Sequence, residues 1–245
     1  MLERLADGVW FDTGPVRILG TKLTSTMTVL RLDAGLLVSS PLPLTPERRR
    51  AVLSLGPVVH LYAPNSFHHL WLAEWSREFP EARVHAPEAL AKKRADLRID
   101  HFHGDGPSTF AGEVDEIPIL GFRLAETALV HRASKTAIVT DLVHNVGCPE
   151  GTWTRMYTTL MGFYDRVALS RVLRWTAFDD RGAARTSVDR LLAAPFDNLV
   201  VGHGAPITAR GHALLAAAMH FLPAESPRLL APTKRTRSLS SKPCG

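Results

Sequence analysis

Cysteine is nearly absent from this 245-residue chain: Cys148 and Cys244 are its only two. Two thiols cannot make a disulfide framework, and one of them lies close to the C-terminus, so a stapled secreted scaffold is excluded and a reducing compartment is expected. The first residues, MLERLADGVW, lack the cationic, apolar and small-residue regions of a secretory signal. No apolar run approaches the ~18 residues of a membrane span. The expectation is a cytoplasmic protein without a membrane partner. Net charge is also scarce where it would matter. Five cations and no acid lie between residues 226 and 245 (Arg228, Lys234, Arg235, Arg237 and Lys242), and without them 24 of the 29 cations face 24 acids. A neutral body with a short basic tail is a poor platform for a nucleic-acid backbone, so no nucleic-acid partner is expected. No repeat of 20–50 residues is present.

What remains is an ordinary globular composition, 45% hydrophobic and 22% charged. The pattern predicts one domain over residues 1–225 and a basic, disordered tail over 226–245, where Ser, Pro and cations leave little to bury. Short strands are expected over 8–18 and 26–40, with a hairpin turn at Asp33–Gly35. Thr45 as N-cap and Pro46 at the first helical position open a helix that ends before Gly56–Pro57. Val58, Val59, Leu61 and Tyr62 form a buried strand. Pro64 and Asn65 break it. Ser66 is expected to cap a helix bearing Trp71, Trp75 and Phe79 on one stripe, with His68 and His69 in its first turn. Strands over 82–85, 97–103, 113–119, 129–131, 136–140 and 199–201 alternate with helices over 87–95, 152–178, 181–194 and 210–222. Strands with interleaved helices, then helix, strand, helix, suggest two mixed sheets face to face with helices outside, a four-layer αβ/βα sandwich.

Four places carry chemistry-bearing side chains. His68 and His69 follow a strand at its carboxyl end, where ligands sit in open α/β sheets, and adjacent imidazoles there suit a metal or a proton shuttle. Asp141 ends the apolar run Ala137–Ile138–Val139, with His131 and His144 near it in sequence. In DNLVVGHGAPI a buried strand runs into His203 between Gly202 and Gly204, and glycines beside a functional side chain allow close backbone approach. Finally, His101–Phe102–His103–Gly104–Asp105 reads H-x-H-x-D, a metal signature that needs a following helix; Gly106–Pro107–Ser108 follows instead, so a solvent-facing or weak metal face is the most it offers.

The segments APNSFHHLWLAEW, FPEARVHAPEAL, HRASKTAIVTDL and VVGHG together resemble the metallo-β-lactamase fold superfamily over nearly the whole body, in particular an uncharacterised branch with a degenerate metal motif. The family's H-x-H-x-D-H window falls on Pro64, Asn65, Ser66, Phe67, His68 and His69, so only its last histidine is kept, and its mid-chain histidine falls near Gly121–Phe122. The ligands peculiar to one of the family's two metal positions are thus missing. The other set survives in substituted form as His68, His69, Asp141 and His203. The resemblance implies one divalent metal, Zn first, with Fe or Mn as alternatives. It places His68 outside the direct ligands if one position is left open to water. The implied activity is hydrolysis of a small-molecule ester, lactone or amide by a single metal-bound water. Asp141 would be the catalytic carboxylate, and His131 or His144 the proton donor to the leaving group. The competing reading is a non-catalytic protein of the same fold, a small-molecule binder or scaffold that has lost its metal. Arg181 and Arg185, one helical turn apart, read as a solvated helix face rather than an anion clamp. Met156, Leu160, Met161 and Phe163 read as core or as the face of a homodimer.

Overall fold

The computed structural model describes residues 1–223; the tail over 226–245 lies outside the described residues. The chain runs β1 (Glu3–Ala6), β2 (Val9–Ile18), β3 (Thr21–Leu32), β4 (Gly35–Ser39), α1 (Pro46–Leu53), β5 (Val58–Tyr62), α2 (Leu72–Glu78), β6 (Arg83–Ala86), α3 (Glu88–Lys93), β7 (His101–Phe102), β8 (Val114–Pro118), β9 (Thr127–His131), β10 (Thr136–Ile138), α4 (Thr152–Met161), α5 (Arg171–Thr176), α6 (Arg181–Ala193), β11 (Asn198–Val200) and α7 (Gly211–Met219). β1 to β7 form a seven-stranded sheet in chain order, and a four-stranded sheet has the order β11-β10-β9-β8. Both are mixed: β1 to β4 pair antiparallel and β4 to β7 parallel, while β11 lies parallel to β10 in an otherwise antiparallel sheet.

Strand alternation builds the layers, because successive side chains point to opposite faces. On β4 and β5, Leu36, Val38 and Leu61 pack outward against Val52 of α1, Trp75 of α2 and Leu90 of α3. Leu37 and Tyr62, one residue out of phase with them, point inward and meet Leu129, Ile138 and Val200 of the smaller sheet. The other face of that sheet carries Val130, Ala137 and Leu199 against Val188 of α6 and Leu215 of α7. This is the expected four-layer αβ/βα sandwich. No helix among the described residues is long and apolar enough to cross a membrane.

Local chemistry confirms some expectations and corrects others. Thr45 caps α1 by accepting from Arg48 N–H, and the Asp33 turn joins β3 to β4. The helix expected over 152–178 is two short ones, since Gly162, at φ 81°, closes α4 in the left-handed region that favours glycine. The strand expected over 97–103 is only His101–Phe102. Ser66 does not cap a helix; its hydroxyl donates to Leu124 O, and α2 starts only at Leu72. The capping work falls to Asn65, whose Oδ1 accepts the backbone N–H of both Phe67 and His68 at 2.8 Å.

Candidate metal centre

Three strands deliver the site at their carboxyl ends. After β5, the turn held by Asn65 aims His68 inward; after β10 comes Asp141; after β11 comes His203. All three are buried. His68 Nε2 lies 3.6 Å from Asp141 Oδ2, and His203 Nε2 lies 3.4 Å from Asp141 Oδ1. Among the described residues this is the one group of three or more His, Cys, Asp or Glu side chains whose donor atoms all lie within 4.8 Å of one another. Gly202 makes the approach possible, since a Cβ there would lie 2.8 Å from His68 Cε1 and 2.9 Å from Thr140 Cα.

The outward-facing nitrogens explain how the rings are held. His203 Nδ1 lies 2.7 Å from Thr24 O, and since a carbonyl only accepts, Nδ1 carries a proton. His68 Nδ1 lies 2.7 Å from Ser40 Oγ. Both Nε2 atoms therefore face the carboxylate. At 3.4 and 3.6 Å neither separation is a good N–H···O bond. Two bonds of ~2.1 Å meeting at a tetrahedral angle would span ~3.4 Å. Two imidazoles and one carboxylate are also a donor set that Zn²⁺ and Fe²⁺ accept with positions to spare. The residues present fit a divalent ion. Burial would raise the Asp141 carboxyl, but His68 and His203 hold it well below the usual range. Burial would lower His203, yet the adjacent Asp141 carboxylate leaves it raised.

Asp141 itself is anchored by two residues whose importance the sequence did not disclose. Asn65 Nδ2 donates to Asp141 Oδ2 at 2.8 Å and to Thr140 Oγ1 at 2.9 Å. Glu126, buried beneath the turn, accepts the backbone N–H groups of Thr140 (2.7 Å), Asp141 (2.8 Å) and Leu142 (3.1 Å). Burial and the neighbouring Asp141 push its carboxyl up to about 7.

Two of the expected residues take other places. His69 and His68 exchange the positions assigned to them. The His69 ring turns to Arg94, whose Nη1 lies 3.1 Å from His69 Nδ1. A guanidinium has no lone pair to offer, so Nδ1 must accept and, in the neutral ring, Nε2 carries the hydrogen. That Nε2 is buried without a partner in the wall of the cleft that His68, Asp141 and His203 also line. Burial and then Lys93 and Arg94 push His69 down to about 4. His131 is the clearer correction. It lies opposite Thr136, at the start of β10, whereas Asp141 follows that strand's other end. There His131 bonds Ser134 Oγ at 2.7 Å, and its Cε1 lies 3.2 Å from where a Cβ on Gly8 would stand. It cannot donate a proton at the cluster. His144 lies beside the cluster instead: it lines the cleft, its ring centroid is 5.4 Å from that of His203, and its Nδ1 is buried and unpartnered. Burial and then His203 hold it neutral, down at about 3.

The H-x-H-x-D segment builds no comparable cluster. His101 stacks on His85 at 4.9 Å and His103 on Tyr62 at 4.4 Å, within an aromatic group between the sheets. Arg185 forms a bidentate ion pair with Asp189 and Arg181 lies over Trp175, as a solvated helix face would. Phe163 is buried, as its reading as core expects, and also lines the cleft, while Met156 and Leu160 are exposed.

Solved structures with the same architecture fit nearly the whole chain. A metallo-β-lactamase from Pontibacter korlensis superposes with a TM-score of 0.62 at 14% identity, covering 91% of this chain and 98% of its own. The metallo-β-lactamase FIM-1 from Pseudomonas aeruginosa, in a mono-zinc form, gives 0.61 at 9% identity, with 90% and 94% covered. The metal-soaked flavodiiron core of Flv1 from Synechocystis sp. PCC6803 gives 0.62 at 13% identity, over 90% of this chain and 60% of that one. No protein-family model and no curated protein matches the sequence. The fold is that of the metallo-β-lactamases.

Proposed function

We propose that this chain, with its metallo-β-lactamase fold, is a metal-dependent hydrolase that holds one divalent ion on His68, Asp141 and His203 and cleaves a small-molecule ester, lactone or amide. The single observation that carries the reading is the pair of Nε2 atoms facing one buried carboxylate at 3.4 and 3.6 Å, with each ring's other nitrogen already engaged. An ion in that place supplies a Lewis acid and a water ionisable near neutral pH. The remaining work belongs to the chain. Ser40 and Thr24 O fix the ring planes, and Asn65 and Glu126 fix the carboxylate. His144, neutral and unpartnered at Nδ1, moves the proton to the leaving atom. His69 offers its unpaired Nε2–H to the substrate carbonyl. Zn is the first expectation for the ion, Fe and Mn the alternatives. One ion cannot clamp both the attacking and the leaving oxygens, which disfavours two-metal phosphodiester chemistry. We further place the protein in the cytoplasm, from its two cysteines, with residues 1–225 as one domain. A homodimer through exposed α4 is compatible with this reading.

A second reading has its own support. A protonated His203 beside ionised Asp141 balances charge without any metal, as a binding protein that had given up catalysis would need. Metal analysis of the purified full-length chain separates the two. About one equivalent of Zn, Fe or Mn, lost in His203→Ala and Asp141→Ala variants that keep their circular dichroism, supports the hydrolase. A metal-free wild type that takes up none on titration refutes it.

A further inference from the structure

The cleft above the cluster encloses about 490 Å³. Its imidazoles and its one carboxylate gather at the buried end, on His68, His69, Asp141, His144 and His203. The walls leading away from that end are Ile18, Leu23, Trp71, Leu124, Phe163 and Leu173. At the mouth the lining is largely apolar although it meets water: Leu19 is 75%, Leu70 58%, Phe67 56% and Val172 48% exposed, with the exposed cations Arg17 and Lys93 beside them. Large apolar side chains clustered in the open mark a surface that something apolar covers. A long apolar wall with a few convergent polar groups at one end is how a protein orients a ligand with a polar head and a greasy body. A compact polar substrate would leave these walls without a purpose.

We infer that the ligand is an amphiphile: an ester, lactone or amide whose carbonyl reaches the His68–Asp141–His203 end and whose alkyl or acyl chain runs along the apolar wall to the mouth. The carbonyl half of this statement rests on the hydrolase reading; the chain half rests on the cleft alone. In the reaction, water oxygen bonds to the acyl carbon, the acyl C–O or C–N bond breaks, and the water's proton passes to the departing oxygen or nitrogen. The products are a carboxylic acid and an alcohol or amine.

Calorimetric titration of the full-length protein with butanoate, hexanoate, octanoate and decanoate tests the chain half directly, without turnover. Each buried methylene is worth up to about fourfold in affinity, so decanoate is expected to bind at least tenfold more tightly than butanoate. In Ile18→Glu with Val172→Glu, one position on the partly exposed wall and one exposed at the mouth, that gain should collapse to less than threefold while circular dichroism and metal content stay as in the wild type. The parallel assay is kcat/KM on p-nitrophenyl butanoate and decanoate. Affinity that is flat with chain length, or a chain-length gain untouched by the double variant, overturns the inference. Tight decanoate binding with neither ester cleaved upholds the ligand class and removes the hydrolase reading. Equal cleavage of both esters with flat binding does the reverse.

Discussion

The interior between the sheets holds a group of imidazoles that should make this protein unusually sensitive to mild acid. His60 Nδ1 lies 3.0 Å from His85 Nε2, His85 stacks on His101, and His103 stacks on Tyr62 with both ring nitrogens buried and unpartnered. The groups facing them are Phe110, the backbone, the neighbouring Arg83, Asp105 and Arg190 across the adjoining cavity, and Glu116, which Tyr62 and Ser108 already engage. Burial pushes His103 down to about 3; burial and then His60 push His85 down to about 3; burial and then Arg83 push His60 down to about 4. Each stays neutral in the folded chain while its unfolded counterpart, at about 6.5, takes up a proton. The unfolded state therefore binds more protons below about pH 6.5, and stability falls as pH drops from there towards 3–4. For His103 alone, moving from pH 7.5 to pH 5 should cost about 2 kcal/mol, roughly 4–8 °C in melting temperature for a domain of this size. His103→Phe keeps the stacking on Tyr62 and forfeits no hydrogen bond, so it should remove that share selectively. Urea unfolding of wild type and variant at both pH values is the assay. A pH 7.5-to-5 stability loss that is the same in both would mean that the ring is charged or solvated in the folded protein, and the reasoning would be wrong.

Other substitutions probe the site. Gly202→Ala would push a methyl group against His68 and the Thr140 backbone; it should destabilise by about 1–3 kcal/mol and weaken metal uptake, both measured on one sample by melting and by metal analysis. Asn65→Ala leaves two backbone N–H groups and one Asp141 oxygen without their partner, which should cost about 2–4 kcal/mol in denaturant titration. His101→Ala with His103→Ala should leave metal content unchanged, and metal lost there would move the centre sideways to the outer strand β7.

Much of this arrangement can be read from one sequence because the relevant signals are local. A short apolar run that ends in Asp141, and another that ends in Gly202–His203–Gly204, each state that a strand stops and a functional side chain follows. The two residues also emerge at the same edge, since β10 and β11 lie parallel. What local pattern cannot state is direction. Whether His68 or His69 faces inward is decided by the two hydrogen bonds of Asn65, and Arg94, 25 positions away, claims the other ring. Glu126 shows the same gap: in the string AETALV it looks like a polar residue at a strand's start, and only the fold of the Thr140–Leu142 turn over it reveals three amide partners. His131 needs the register to be placed: it borders the turn of the β9–β10 hairpin while Asp141 follows the open end, so nearness along the chain is distance in space.

The ring from residue 68 hangs off the larger sheet, and the carboxylate and the ring from residue 203 off the smaller one, so the cluster straddles the seam of the sandwich. An ion seated there would act as a rivet between halves that otherwise meet through side-chain packing and a few hydrogen bonds such as Thr26 N to Gly202 O. Because a denatured chain cannot present the three donors together, ion occupancy and resistance to denaturation should rise in step. A chelator would then loosen the whole body, by about 2.7 kcal/mol for an ion previously present at a hundred times its dissociation constant.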